Sequence, residues 1–408
     1  MADRVHLEEE SCGLLLELEH ILDSDPLIDE VGFIHPTQLA ALIGVVDCDS
    51  SGDLDTLKFF NRDHKLGIST QILFPLYKQA KIIFFDEIER YKKQTGISGI
   101  WGDETSLQRC KSTLDELEIG VMKHSKVLLL LSADLATAWN SRRAIVLKKD
   151  TLSMYMDELR LSELILSYSA KSDQAWSHRR WVIKRIVGKL PNLQEVIGKE
   201  SKLVERIAER SKMNYRAWNH RCWLVSYMTG EQVVYELKNS RVWAGLHVAD
   251  SSCFHYRRRL MMRMLEDFCA KNASVSVGSS SEIYDIWKEE LEWNKLLIKR
   301  YIGREALWLY RRFLSLHWLR DFMTQLDSVI FLDDELHLLH SCSIIPDSDF
   351  DDFQAQAMYS TTYILWLARQ LSRSHAIVLR QKLQVGDMKD LLNSVCPQRS
   401  FFCDMLEE

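Results

Sequence analysis

The most regular pattern in this chain is an aromatic residue that is followed three positions later by arginine and then by a pair of apolar residues. The aromatic residues are Trp139, Trp176, Trp218, Phe254 and Trp308, and the arginines are Arg142, Arg179, Arg221, Arg257 and Arg311. Successive aromatic residues are 37, 42, 36 and 54 positions apart. Repeats of about 35–40 residues are typical of helix pairs that stack so that each buries its apolar face against the next. The pattern therefore predicts an all-α solenoid of antiparallel helix pairs.

Each repeat is predicted to contain two helices, and the second begins near the aromatic residue. Positions i and i+3 share one face of a helix, so we expect the aromatic residue in the core and the arginine beside a neighbouring carbonyl or carboxylate. His178 and His220 directly precede two of these arginines, and we expect them to hydrogen-bond between layers. Ser172 and Asp173 before one second helix, and Asp134 before another, are predicted to cap those helices.

Three segments follow from this pattern. Residues 104–320 are predicted to hold the five repeats, with a flexible insertion near 272–282 that is rich in serine. Residues 1–103 are predicted to form an N-terminal helical extension with a mobile loop near 47–62, where turn-forming residues cluster. Residues 321–408 are predicted to form a helical cap, because a terminal repeat must present a polar face to water.

Composition narrows the possible functions. The net charge of −6 argues against binding to nucleic acid or to a membrane surface. The nine cysteines are scattered without a CxxC pair, and no set of Cys, His and Asp residues has the spacing of a zinc site. No apolar run reaches the roughly 18 residues of a membrane span. We therefore expect reduced thiols, no metal bound by this chain, no membrane span and a cytoplasmic location.

Two of the repeats carry the sequence Trp-x-His-Arg-Arg/Cys-Trp-Val/Leu, at residues 176–182 and 218–224. This motif resembles the repeat of protein prenyltransferase α-subunits, and the resemblance covers roughly residues 104–320. It implies a right-handed superhelix that curls around a β-subunit. It also implies that the catalytic zinc and the isoprenoid pocket lie in that β-subunit, so that this chain binds no cofactor of its own.

Two N-terminal stretches extend the resemblance to the α-type subunit of the type III geranylgeranyltransferase. They are residues 28–36, and residues 64–68 leading into 74–77. Neither resembles the farnesyltransferase α-subunit. The resemblance implies a heterodimer with a Rab-type β-subunit and geranylgeranyl diphosphate as co-substrate. It also implies protein substrates such as an already farnesylated SNARE or an F-box protein.

The family has a lysine five residues before the aromatic residue of one central repeat, where it reaches the isoprenoid diphosphate. The corresponding residue here is Lys171, five before Trp176. An ammonium at this place can stabilise the charge that develops on a leaving diphosphate, and the resemblance therefore implies a catalytic role. Judged by position alone, Lys171 would be an ordinary exposed lysine in a turn between helices.

The next repeat supplies further candidates. Asn214, Tyr215 and Arg216 occupy a tripeptide position that is Asn-Tyr-His in the farnesyl enzyme and faces its active-site cleft. The resemblance implies contact with the diphosphate or the partner, and Arg216 keeps a hydrogen-bond donor where the family has histidine. Gln174 matches a position that contacts the terminal carboxylate of the substrate in CaaX-type enzymes.

Two binding functions compete with the enzyme interpretation. A non-catalytic α-solenoid adaptor would bind a helical or disordered partner on its concave face. A chaperone adaptor of the tetratricopeptide type is disfavoured, because its 34-residue period does not match the irregular spacings. Replacement of Lys171 by alanine distinguishes the enzyme from the adaptor.

Overall fold

The computed structural model describes residues 2–43, 58–97, 104–272, 280–322, 325–347, 349–371, 377, 379, 381–382 and 385–399. Within these residues most of the chain is helical, and the predicted all-α fold of helical repeats is confirmed. The chain divides into a first unit, Met1–His220, and a second unit, Arg221–Glu408. The predicted division into three segments stays a prediction.

The helices of the first unit are α1 (Ala2–Ser24), α2 (Pro36–Ile43), α3 (Leu73–Ile97), α4 (Glu104–Leu131), α5 (Ala136–Lys149), α6 (Leu152–Tyr168), α7 (Asp173–Ile186) and α8 (Leu193–Arg210). Helix α9 (Tyr215–Leu224) contains the division between the units. One apolar core extends from the buried face of α1 through α3 and α4 to the start of α9, and it includes Leu18, Phe84, Val121 and Ala217.

The helices of the second unit are α10 (Gly230–Leu246), α11 (Ser251–Asn272), α12 (Ser280–Arg300), α13 (Glu305–His317), α14 (Gln325–Ser343), α15 (Asp351–Gln370) and α16 (Val385–Val395). Short 3-10 turns occupy Val225–Tyr227 and Pro397–Arg399, and a π-helical turn follows α13 at Trp318–Phe322. Of the predicted insertion near 272–282, residues 273–279 lie outside the described residues.

A small β-sheet in the first unit is a feature that the sequence analysis did not predict. Its strands are β1 (Glu30–Ile34), β2 (Phe59–Arg62) and β3 (Lys65–Ser69), in the order β1-β3-β2. Strand β1 pairs parallel with β3, and β2 pairs antiparallel with β3. Strands of four or five residues are too short for alternation to separate them from a helix or a loop. The described residues of the expected helical extension therefore contain three helices and, in addition, a sheet that the sequence pattern did not indicate.

The sheet also changes the prediction of a mobile loop near 47–62. Residues 44–57 lie outside the described residues, whereas Phe59–Arg62 form β2. Asp63 and His64 connect β2 to β3 with left-handed φ values of 50° and 60°, as a two-residue type I′ hairpin requires. A Cβ atom at Gly67 in the central strand would lie 2.6 Å from Cδ1 of Ile34, so a larger residue there would require the Ile34 side chain to shift.

The five aromatic residues of the repeats are core residues, as predicted. Each is at most 3% exposed, and each lies in the second helix of a pair: α5, α7, α9, α11 or α13. Two of the tryptophans also close the turn before their own helix. Trp139 Nε1 donates to the carbonyl of Ala133 at 2.8 Å, and Trp176 Nε1 donates to that of Ala170 at 3.0 Å. An indole N–H that is buried needs such a partner.

Candidate functional site

Every repeat arginine enters a buried triad with a glutamate and a third residue. The glutamate comes from the first helix of the next pair. In the first four triads the third residue lies two positions after the aromatic residue of the next repeat, and in the fifth it is Tyr363. In the first unit, Arg142 Nη2 lies 2.5 Å from Glu158 Oε1, and His178 Nε2 lies 2.8 Å from Glu158 Oε2.

The second triad of this unit repeats the geometry. Arg179 Nη2 lies 2.6 Å from Glu200 Oε1, and His220 Nε2 lies 3.0 Å from Glu200 Oε2. The predicted contacts of the arginines with carboxylates, and of the histidines between layers, are confirmed.

The triads of the second unit have tyrosine in the third place. Arg221 and Tyr256 contact Glu236 at 2.9 and 2.5 Å. Two further triads follow. Arg257 and Tyr310 contact Glu290 at 2.6 and 2.7 Å, and Tyr363 donates to Glu335 at 2.8 Å beside the Arg311–Glu335 ion pair. All five arginines are buried, so they hold repeats together and offer no basic stripe to a nucleic acid.

Burial and charge act in opposite directions on these groups. Burial alone would raise the pKa of Glu158 and Glu200, but the arginine and histidine of each triad outweigh it and hold both pKa values at about 2. Burial lowers the pKa of His178 and His220, against the opposing effect of the glutamates. Arg143 Nε donates to His178 Nδ1 at 3.2 Å, which favours the neutral ring with its proton on Nε2. The two triads of the first unit are therefore structural ion pairs and not candidates for proton transfer.

In contrast to the buried triads, the turn between α6 and α7 carries a predicted site residue that is exposed to solvent, Lys171. Ser172 is the N-cap of α7, as predicted, because its Oγ accepts from the backbone N–H of Ala175 at 3.1 Å. The prediction that Asp134 caps its own helix was wrong, since Leu135 occupies that N-cap position. Asp134 Oδ1 instead accepts from Ser172 Oγ at 2.6 Å, so one turn fixes the next.

The following turn holds the same segment from the other side. Asn214 Nδ2 donates to the carbonyl of Ala170 at 2.8 Å, and Asn214 Oδ1 accepts from the N–H of Ala217 at 3.1 Å. Asn214 is only 1% exposed, so its amide positions the turn next to Lys171. Contact between Asn214 and a diphosphate stays a prediction.

The other predicted site residues lie at this same end of the helix pairs. The Lys171 side chain is exposed, and within the described part of the chain it has neither a hydrogen bond nor an ion pair. Tyr215 is 63% exposed, and Gln174 is half-buried. Arg216 Nη2 lies 2.8 Å from Asp173 Oδ2, and the two side chains form a bidentate ion pair across the two turns. Both side chains of this ion pair are exposed, so Arg216 stays accessible to solvent.

Arg180 belongs to this group, although the sequence analysis did not single it out. It lies two turns into α7 and is half-buried. Burial lowers its pKa, whereas the nearby Asp173 and Tyr215 oppose that shift. The signal for it was present in the motif, as the second of two adjacent arginines. Together with Lys171 and Arg216, it makes this end of the helices suited to binding an anion.

The unpredicted sheet packs directly beside the Lys171 turn. The N–H of Val31 in β1 donates to Ser167 Oγ at 3.1 Å, and the rings of Phe33 and Tyr168 meet edge to face at 5.2 Å. Ser167 and Tyr168 form the last turn of α6. Glu30 at the start of β1 also pairs with Arg210 at 3.2 Å. The N-terminal region therefore helps to fix the helix end that leads into Lys171.

The described residues contain no group of three or more His, Cys, Asp or Glu side chains arranged to hold a metal ion. No helix among them is both long and apolar enough to cross a membrane.

Comparison with known proteins places the repeats in a family. The model of the protein prenyltransferase alpha subunit repeat matches residues 155–186 and 197–228, which cover α6 to α9. Protein prenyltransferase alpha subunit repeat-containing protein 1-B of Xenopus laevis is 30% identical over 228 residues, which are 45% of this chain and 52% of the relative. The corresponding protein 1 of Homo sapiens is 30% identical over 226 residues, 45% of this chain and 56% of that protein.

The protein of the same name from Danio rerio is 29% identical over 296 residues, 63% of each chain. The chain thus spans about half the length of the first two relatives and somewhat more of the third. The two segments that match the family model contain Trp176 and Trp218, the complete triad of Arg179, Glu200 and His220, and the Lys171 turn. On these grounds, helices α6 to α9 contain two protein prenyltransferase alpha subunit repeats, and this chain is similar to the repeat-containing proteins named above.

Proposed function

We propose that this chain is the α-type subunit of a heterodimeric protein geranylgeranyltransferase of type III, which acts in the cytoplasm. Its partner would be a Rab-type β-subunit, and its substrates would be proteins such as a farnesylated SNARE or an F-box protein. The observation that carries the proposal is the exposed ammonium of Lys171 on a turn that three hydrogen-bonding side chains hold in place. Asp134, Trp176 and Asn214 supply those contacts.

The chemistry of the transfer explains why a fixed lysine is useful. A cysteine thiolate of the substrate forms a thioether bond to C1 of the geranylgeranyl group, while the C–O bond to the diphosphate breaks. Negative charge then collects on the leaving diphosphate, and a cation that is already in place stabilises it without reorganisation. Lys171 would serve in this way, with Arg216 and Tyr215 beside it. In this proposal the zinc that activates the thiolate belongs to the β-subunit.

The free thiols of the described residues agree with a reducing compartment. Cys12, Cys222, Cys253, Cys269, Cys342 and Cys396 form no disulfide with one another. Burial raises the pKa of Cys222 and of Cys253 to about 12, so these two thiols are poor nucleophiles. These two thiols are therefore unsuited to accept the transferred group.

The experiment is co-expression of the chain with a Rab-type β-subunit, followed by transfer of labelled geranylgeranyl to a substrate protein. We expect a one-to-one complex and a turnover that falls by about tenfold or more in Lys171→Ala. Lys212→Ala is the matched control, because Lys212 is exposed in the next turn and lies six residues before its tryptophan. The control should keep wild-type turnover.

Other outcomes separate the two functions. An intact complex whose turnover is equal in both lysine variants would remove Lys171 from the mechanism. A chain that folds alone and associates with no β-subunit would contradict the enzyme proposal and favour the adaptor function.

A further inference from the structure

The second unit contains a cleft that the proposed transfer does not use. It lies between the start of α10, the end of α11 and the start of α12, and its volume is about 820 Å3. Volumes of roughly 300–1,000 Å3 are usual for ligand sites. Its floor is apolar and consists of Val234, Met264, Phe268, Ile283 and Ile286. Flexible methionine and aromatic side chains can adapt to the side chains of a partner.

The rim of this cleft is acidic. Glu231, Asp267 and Glu282 line it, and none of the described residues that line it is a lysine or an arginine. Arg263, one turn before Asp267, donates to that carboxylate at 2.9 Å and compensates it. Glu231 and Glu282 are exposed, and neither has an ion pair with any residue that the structure describes. Two exposed carboxylates that lack an ion-pair partner among the described residues therefore border an apolar floor, which is an arrangement that attracts cations next to apolar groups.

A cavity in the first unit shows that the arrangement is not a general property of these repeats. That cavity, of about 650 Å3, is lined by side chains of both charges, such as Glu163, Arg206 and Lys202, and by no apolar side chain. Its charges compensate one another, for example in the Arg206–Glu163 ion pair at 2.8 Å. The second unit thus differs in having both an unbalanced charge and an apolar floor.

We propose that this acidic cleft binds a basic amphipathic helix of a partner protein. Apolar side chains spaced three or four residues apart on such a helix would enter the floor, and its flanking lysines or arginines would face Glu231 and Glu282. An anionic lipid surface does not fit, because the carboxylates repel it and the site is concave. None of the residues that line this cleft is among the residues proposed for the transfer. The proposal therefore does not depend on the proposed geranylgeranyl transfer.

The test uses the full-length chain and a short fluorescent peptide. Its leucines are spaced three or four residues apart, so that they share one face of a helix, and its other residues are lysines. Fluorescence anisotropy should show saturable binding, and the same peptide with glutamate in place of lysine should not bind. The variant Glu231→Gln/Glu282→Gln should weaken binding about tenfold or more, since each lost charge pair removes on the order of 1 kcal/mol. Ile286→Ser should also weaken binding of the peptide, because it removes an apolar side chain from the floor of the cleft.

The matched control is Glu209→Gln/Glu305→Gln, which changes the net charge equally at exposed positions outside the cleft. Circular dichroism and the thermal midpoint establish that all variants are folded. The proposal stands if the cleft variants lose binding and the control keeps it. Equal loss in both charge variants would mean general attraction to an acidic protein and would overturn it. So would absence of binding to the wild type, or binding that no cleft variant changes.

Discussion

The buried triads of the two units share the same arginine–glutamate pair but differ in the third residue. In the first unit it is His178 or His220, and in the second it is tyrosine, as in the triad of Glu290 and Tyr310. Histidine can carry a positive charge near neutral pH, whereas tyrosine can only become negative at high pH. Tyrosine donates to the carboxylate only while it is neutral. Histidine can donate in both its neutral and its protonated form. The comparison shows one packing solution with opposite sensitivities to pH.

The largest effect is expected from removal of a triad carboxylate, because it leaves a buried guanidinium without compensation. Glu200→Gln in the first unit and Glu290→Gln in the second should each lower the free energy of unfolding by about 3–5 kcal/mol. The losses should be similar, since Arg179 and Arg257 are both buried. Urea unfolding followed by tryptophan fluorescence measures them. Glu195→Gln, an exposed control, should unfold as the wild type does. A loss in only one unit would refute the equivalence of the triads.

The pH dependence of stability separates the units more sharply. Burial lowers the pKa of His178 and His220 below the ordinary value of about 6.5, so the unfolded chain takes up protons that the folded chain does not. Stability from these groups is complete above about pH 6.5 and declines as the pH falls below it. Glu158 and Glu200, with pKa values of about 2, add a loss only below about pH 4.5. Neighbouring arginines stay charged throughout this range.

The triads of the second unit behave in the opposite direction. Burial raises the pKa of Tyr310 and Tyr363 well above 10, so the folded chain keeps protons that the unfolded chain releases. Their stability is complete below about pH 10 and declines as the pH rises further. The variant His178→Gln/His220→Gln should therefore lose less of its thermal midpoint between about pH 7.5 and 5.5 than the wild type does. Tyr310→Phe/Tyr363→Phe should keep the wild-type acid loss. An unchanged acid loss in the histidine variant would contradict the assignment.

The smallest effect on stability concerns the turns of the two units. Asn214→Ser keeps an oxygen that can cap α9 but loses the hydrogen bond to Ala170, and it should cost about 0.5–1.5 kcal/mol. Under the proposed function its turnover should fall more than its stability, since the Lys171 turn loosens. Asp250→Ser is the counterpart in the second unit, where Asp250 accepts from the N–H of Ser252 at 2.9 Å. It should leave turnover unchanged. Equal turnover in both variants would show that Asn214 does not position Lys171.

The motif of each repeat could be recognised in the sequence because it depends on the local geometry of a single helix. A tryptophan and an arginine three residues apart face the same neighbour in any α-helix, so the buried anchors and the arginine–carboxylate contacts followed from the sequence. The glutamate partners were not identified, because their spacing from the arginines varies from 15 residues for Arg221–Glu236 to 33 for Arg257–Glu290. The choice among many glutamates depends on how the helices stack.

The candidate site shows the same division. Lys171 and the residues around Tyr215 could be found because the motif fixes their distance from a tryptophan. The contacts that position them could not, since Asp134 and Asn214 reach across neighbouring turns that are about forty residues apart along the chain. The half-buried Arg180 and the acidic cleft of the second unit were likewise visible only in three dimensions.

By itself the sequence determined the helical repeats and their buried aromatic residues, because helical periodicity places these residues within a few turns of one another. The resemblance to a known family, and not the periodicity, singled out Lys171. Only the tertiary structure decided that residues 30–34 and 65–69 pair as parallel strands against the end of α6. Short strands gain their stability from partners distant in sequence, and their local pattern carries little information about those partners. The same holds for Asp134, whose carboxylate caps the neighbouring helix because the stacking of the repeats brings that helix closer than its own.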